Sequence, residues 1–120
     1  MRDIKFRCWN VCSKAMHDWQ EMVKRNKIHL LAENKPAYPV MQYTGLKDKN
    51  GVEVYEGDIV ADDLIGICVV KYNDIHAAFK VLHKNKKTAK WFVDYLPSEF
   101  KYIQVIGNIY ENPELLGGDV

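Results

Sequence analysis

Cysteine is scarce in this chain: three residues in 120, an odd number that disulfides cannot fully pair. A cross-linked secreted scaffold is thereby excluded. Serine is scarcer still, at positions 13 and 98 only, and neither lies in the Gly-x-Ser-x-Gly turn of a serine hydrolase. The seven glycines never approach the spacing of a phosphate-binding loop, which removes the common nucleotide-dependent enzymes. Arginine supplies only three of the 17 basic residues, a poor endowment for bidentate recognition of phosphates or base edges. Long apolar runs are missing too. The longest, Leu64 to Val70, falls far short of the ~20 residues that span a bilayer, so no membrane partner is expected. The opening Met1-Arg-Asp-Ile-Lys-Phe-Arg7 alternates charge with apolar residues and lacks the apolar block of a signal peptide. Reduced thiols and a cytoplasmic location are the expectation.

What is present is an ordinary globular composition, 48% hydrophobic and 28% charged, with a net charge of +1. A chain of this length buries roughly two-thirds of its unfolded surface, enough for a core without staples. Neither repeats nor low-complexity tracts divide it. Residues 1–120 read as one domain with an irregular joint at Glu33-Asn-Lys-Pro-Ala-Tyr-Pro39, where prolines withhold ladder donors. The joint separates an N-terminal lobe, 1–38, from a barrel-like part, 39–120.

Strand signals dominate the rest. Ile4, Phe6 and Cys8 alternate with Lys5, Arg7 and Trp9, and Asn10-Val-Cys-Ser-Lys14 follows as a hairpin turn. Met16 to Val23 fits either a helical or a strand period. The succeeding Arg25-Asn26-Lys27 and Ile28 to Leu31 favour a second hairpin. Asn50-Gly51 is the strongest hairpin signal, since both residues tolerate φ > 0. Glu56-Gly57-Asp58 is a further turn, in which Asp58 can accept backbone donors. Ile59-Val60, Ile67 to Tyr72, Ala77 to Leu82, Trp91 to Leu96 and Tyr102 to Ile106 complete the strands, with a bulge or bend at Gly66. Asn112 as N-cap, Pro113 in the first turn and the anchors Leu115 and Leu116 predict one short C-terminal helix. Many short strands with little helix define a mainly β barrel or roll.

Few residues suggest chemistry. Cys8, Cys12, His17 and His29 are the only set resembling metal ligands, but the histidines stand too far apart for a zinc finger, and structural cysteines are the expectation. Cys68 lies in an apolar run and reads as core. His76 and His83 would face opposite sides of one strand, and no general base has a nameable partner. Charge is more informative. Glu53, Glu56, Asp58, Asp62 and Asp63 form an acidic block, and Lys80, Lys84, Lys86, Lys87 and Lys90 a basic one. Three readings fit: two solvated surfaces, two blocks that meet within or between chains, or a lysine patch beside Trp91 that tracks single-stranded nucleic acid.

Three strings stand out: Met1-Arg-Asp-Ile-Lys-Phe-Arg-Cys-Trp-Asn10, then Met41-Gln-Tyr-Thr-Gly-Leu-Lys-Asp-Lys-Asn-Gly51 with Val54-Tyr-Glu-Gly-Asp-Ile-Val60, and Val105-Ile-Gly-Asn-Ile-Tyr-Glu-Asn-Pro-Glu-Leu-Leu116. Together they resemble the YopX family of small phage and prophage proteins. The resemblance implies an SH3-like barrel or roll, self-association and a phage or prophage origin in a bacterial host cell. It brings no catalytic or binding residues. Cys8 and Asn10 depart from it, standing where the opening motif more often has Ala and Asp. Read physically, Gly45, Gly51, Gly57 and Gly107 suit turns needing φ > 0. Tyr43, Tyr55 and Tyr110 suit buried rings, and Asn108 and Asn112 suit side-chain bonds to backbone. The expectation is a non-enzymatic accessory module that needs no cofactor and no metal. It would self-associate through Ile109, Tyr110, Leu115 and Leu116, with a phage or host protein as a further partner. The alternative is a nucleic-acid-binding module using Lys80, Lys84, Lys86, Lys87, Lys90 and Trp91.

Overall fold

The structure, a computed structural model, describes residues 3–33, 35–62, 66–74, 77–84, 91–95 and 103–116. The chain falls into two compact units, Met1–Tyr43 and Thr44–Val120. Two antiparallel sheets carry it, one of four strands and one of five. No helix among the described residues is long and apolar enough to cross a membrane.

The first unit starts with a hairpin, β1 (Phe6–Asn10) and β2 (Ala15–His17). Its turn is made by Asn10, whose Oδ1 accepts the backbone N–H groups of Cys12 and Ser13 at 3.0 Å each. The second expected hairpin is not formed. Two short helices, α1 (Trp19–Lys24) and α2 (Leu30–Glu33), take its place. The reason lies in the caps. Asp18 is an extended N-cap whose carboxylate accepts the Glu21 N–H at 2.8 Å, an Asp-x-x-Glu start signal that the ambiguous periodicity of Met16 to Val23 concealed. At the other end Asn26 adopts φ 56°, with Asn26 N–H bonded to Val23 O and Lys27 N–H to Met22 O. That is a Schellman stop. The same tolerance of Asn for left-handed backbone that suggested a hairpin turn here ends a helix. Cys8, Met22 and Leu30 form the core of this unit, with Trp19, Leu31, Tyr38 and Val40 packed around them.

Strand β3 (Val40–Lys47) pairs with β1 through its first half, Phe6 opposite Gln42 and Cys8 opposite Val40. Its second half lies in the second unit beside β4 (Glu53–Tyr55), where the Thr44 hydroxyl donates to Val54 O at 2.8 Å. Then come β5 (Asp58–Asp62), β6 (Gly66–Asn73), β7 (Ala78–Lys84), β8 (Trp91–Tyr95) and β9 (Gln104–Asn108). The five-stranded sheet buries both faces. On one, Val60, Cys68, Val70 and Val81 meet Val54 and Ile103. On the other, Ile59 and Val69 meet Leu116. Each fully buried aliphatic side chain of this kind stabilises the fold by about 1.5–3 kcal/mol.

The expected C-terminal helix is only a 3-10 turn, Pro113–Leu116. Asn112 precedes it, and its Oδ1 reaches back to accept the Asn108 N–H at 3.2 Å. Leu116 is drawn onto the sheet within that single turn. Gly107 is also used differently from the expectation. It is not among the residues at positive φ, but a Cβ there would lie 2.5 Å from Asn112 Oδ1. Space for the crossing Asn112 side chain, and not backbone freedom, requires glycine.

Asp48 organises the turn after β3. The carboxylate is 5% exposed and accepts three backbone N–H groups, from Asn50 at 2.8 Å, Val52 at 2.9 Å and Val105 at 2.8 Å. Burial alone would raise its pKa. The bonds from Val105, Val52 and Asn50 and the charge of Lys49 outweigh burial and hold it below the ordinary 3.8. A depressed carboxylate gives stability that is complete above that ordinary value and lost as pH falls below it through the lower folded value. Acid unfolding monitored by circular dichroism should therefore lose part of its slope below about pH 4 in Asp48→Asn. Asp48→Ala should cost about 3 kcal/mol in urea melts at neutral pH, because three donors lose a charged acceptor. A cost under about 0.5 kcal/mol would contradict the assignment.

Candidate functional site

The described residues of the first unit enclose a cavity of about 100 Å³. Four short elements build it. Strand β1 brings Cys8, β2 brings His17, α1 with its stop brings Glu21, Arg25 and Lys27, and α2 brings Leu30; Tyr38 also lines it. Cys8 and His17 are direct partners in the β1–β2 register. Directly opposed residues of an antiparallel pair carry their Cβ atoms about 4.5–5.5 Å apart on one face. His17 Nδ1 is in close contact with Glu21 Oε2, four residues on, so the helix start fixes the orientation of the ring.

The thiol of Cys8 is 1% exposed. Burial pushes its pKa above the ordinary 9.0, Lys27 pulls it down by less, and Glu21 adds to the rise. Cys8 is accordingly a neutral thiol at physiological pH, a poor nucleophile despite its histidine neighbour. The cavity is better furnished for binding than for covalent chemistry.

The four residues considered as metal ligands do not converge. Cys12 and His29 are exposed, away from the Cys8–His17 pair. Among the described residues no three His, Cys, Asp or Glu side chains gather as a metal set. What the sequence concealed was the pairing of Cys8 with His17 and of His17 with Glu21. The hairpin turn at Asn10 together with the Asp18 cap would have revealed it, since they set the register and start the helix.

The charge blocks are less uniform than their composition. Asp58 is buried, with Oδ2 accepting the Tyr55 N–H at 2.7 Å across the turn. Lys80, opposite Lys71 on β6, is 8% exposed and belongs to the interior. Lys86, Lys87, Lys90, Asp63 and His76 lie outside the described residues, as do the side chains of Asp62, His83, Lys84 and Trp91. Of the four residues expected to self-associate, Leu116 is buried against Ile59 and Val69, and Ile109 and Leu115 are half-buried against the same cluster. Tyr110 is half-buried, and its backbone N–H bonds Asn108 Oδ1 at 3.0 Å.

Fold and site together define a small, mainly β protein of two units. Its long sequence strings hold turns and caps, and a cavity lined by charged and polar residues lies in the first unit. The chain belongs to the YopX family: residues 5–117 match the family described as YopX protein. Among solved structures it is similar to protein EF1440 from Enterococcus faecalis, with a TM-score of 0.53 and 24% identity over 97% of this chain and 99% of that one. At that identity the likeness shows the fold alone. No curated protein matches the sequence.

The three thiols should separate by rate. Iodoacetamide followed by mass spectrometry should label exposed Cys12 first, and Cys8 at least about tenfold more slowly. Cys68 should be slowest. The rate at Cys8 should still be rising above pH 9.0, the ordinary thiol value. Equal rates at Cys8 and Cys12 near neutral pH would contradict the burial described.

Proposed function

We propose that this YopX-family protein is a non-enzymatic phage or prophage accessory module, a small β-barrel unit of SH3-like type. It binds or assembles as a homo-oligomer in the cytoplasm of a bacterial host. One observation carries the reading: five polar residues of the family strings, at turns, strand ends and caps, are engaged by backbone. Thr44, Asp48, Asp58, Asn108 and Asn112 each accept or donate a bond within a turn, strand end or cap. A family whose shared polar residues maintain a scaffold presents that scaffold, and its partners meet a surface.

The surface that suits a second copy is apolar and lies on the five-stranded sheet. Ile67 is 40% exposed, and its row continues through Ala61 to Gln104. Beside that row Ile106 is 36% exposed. It is the extra residue of a β-bulge, since Ile59 faces Gly107 while Val60 faces Val105. Bulged residues project from the pleat and so reach a partner. Leu116 packs on the same face beside that row, against Ile59 and Val69.

Light scattering after size exclusion at micromolar concentration should give a dimer or larger species. The double variant Ile67→Asp, Ile106→Asp should run as a monomer with an unchanged melting temperature. Leu116→Asp should instead lose about 3 kcal/mol of stability, because it places a charge in the core. A monomeric wild type would overturn the self-association reading.

A further inference from the structure

The cavity of the first unit is unevenly charged. Its acid, Glu21, is already engaged by the His17 ring. Arg25 and Lys27 form no ion pair with a described carboxylate, and they outnumber Glu21 two to one at the same opening. The residues sort by depth. Cys8, Met22 and Leu30 are buried and make the floor, whereas Arg25 and Lys27 are exposed and form the rim. An apolar floor excludes competing water and lowers the local dielectric, which strengthens attraction between the rim and an opposite charge.

The rim is also pre-set. Arg25 and Lys27 flank Asn26 in the Schellman stop of α1, and its backbone bonds hold all three residues: Arg25 N–H to Glu21 O at 2.9 Å, Asn26 N–H to Val23 O at 3.2 Å and Lys27 N–H to Met22 O at 2.8 Å. The main chain that carries the two side chains is thus fixed, so binding need not order the backbone there. Tyr38 completes the lining. The size limits the ligand. At about 100 Å³ the space is smaller than the ~150 Å³ cavity that admits benzene, so it suits one compact group and not a base with its sugar.

We propose that this cavity is a binding site for a small oxyanion, a phosphate or carboxylate group, with Arg25 and Lys27 as its charged donors. Guanidinium and ammonium groups give charge-assisted hydrogen bonds to such oxygens, and the guanidinium can bind two at once. The site lies within the first unit and is independent of self-association through the sheet of the second.

The test titrates the full chain with inorganic phosphate, and separately with acetate, at constant ionic strength. Amide NMR shifts are read together with the alkylation rate of Cys8. The background is Cys12→Ser, which removes the exposed thiol, and Cys68 serves as internal reference. Expected are saturable shifts confined to residues around α1 and its stop. Cys8 alkylation should slow while Cys68 is unaffected, because the bound anion blocks the way to the floor. Arg25→Gln with Lys27→Gln should weaken binding about tenfold or more, with the amide spectrum otherwise preserved. Lys27→Arg should retain binding, which separates lost charge from lost structure. Saturation by phosphate alone assigns a phosphate group, and by acetate alone a carboxylate. Shifts that stay linear and spread over the basic residues of both units would overturn the proposal, as would unchanged affinity in the double Gln variant.

Discussion

The carboxylate of Asp48 ties together segments that sequence alone leaves far apart. One oxygen shapes the turn between β3 and β4, and the other takes the Val105 N–H from β9, 57 residues away. Lys49 N–H, next in the chain, bonds Ile103 O at 3.0 Å. A single turn thus finishes one sheet and secures the outermost strand of the other. Asp58 does a smaller version of the same work, turning β4 into β5 and placing Gly57, whose carbonyl receives the Ile109 N–H. Both acids are buried, which is tolerable because their lone pairs face backbone donors. Removing such donors or acceptors exposes the chain to a cost larger than any one bond contributes.

Local chemistry was legible wherever one residue type has one use. Asn50-Gly51 makes its hairpin, with Gly51 at φ 81°. Asp58 accepts across its turn, and Asn108 and Asn112 bond backbone as expected. The later strands fall close to the apolar runs that announced them. The failures share a cause, which is that one signal serves two structures. Asn26 ends a helix as readily as it turns a hairpin. Pro113 opens a 3-10 turn as readily as an α-helix, and the choice was made by Leu116 reaching the sheet. Gly107 was read as a flexible point when it is a point of close approach. Charge blocks misled for a different reason. Adjacent residues on a strand face opposite sides, so a run of like charges says nothing of which members go inside, and Lys80 did.

The candidate site was the least legible part. No short motif contains it. Cys8, His17, Glu21, Arg25 and Lys27 are spread over a strand, its hairpin partner, a helix and that helix's stop, and only the register of β1 with β2 brings the first two together. The sequence therefore displayed its scaffold, in long strings rich in Gly, Asn and Asp, more openly than its binding surface. That order is physical. A turn needs particular residues at fixed spacing, whereas a cavity needs only that ordinary residues arrive at the same place.

The treatment of the five-stranded sheet at β9 has a consequence for polymerisation. Open sheet edges recruit further strands, from the same chain or from another. Here Asp48 and Lys49 occupy the outer backbone groups of Val105 and Ile103, and Asn112 occupies that of Asn108. Those groups are therefore not open to a further strand at that end. The turn that completes the fold thus also closes one edge of the sheet to a further strand.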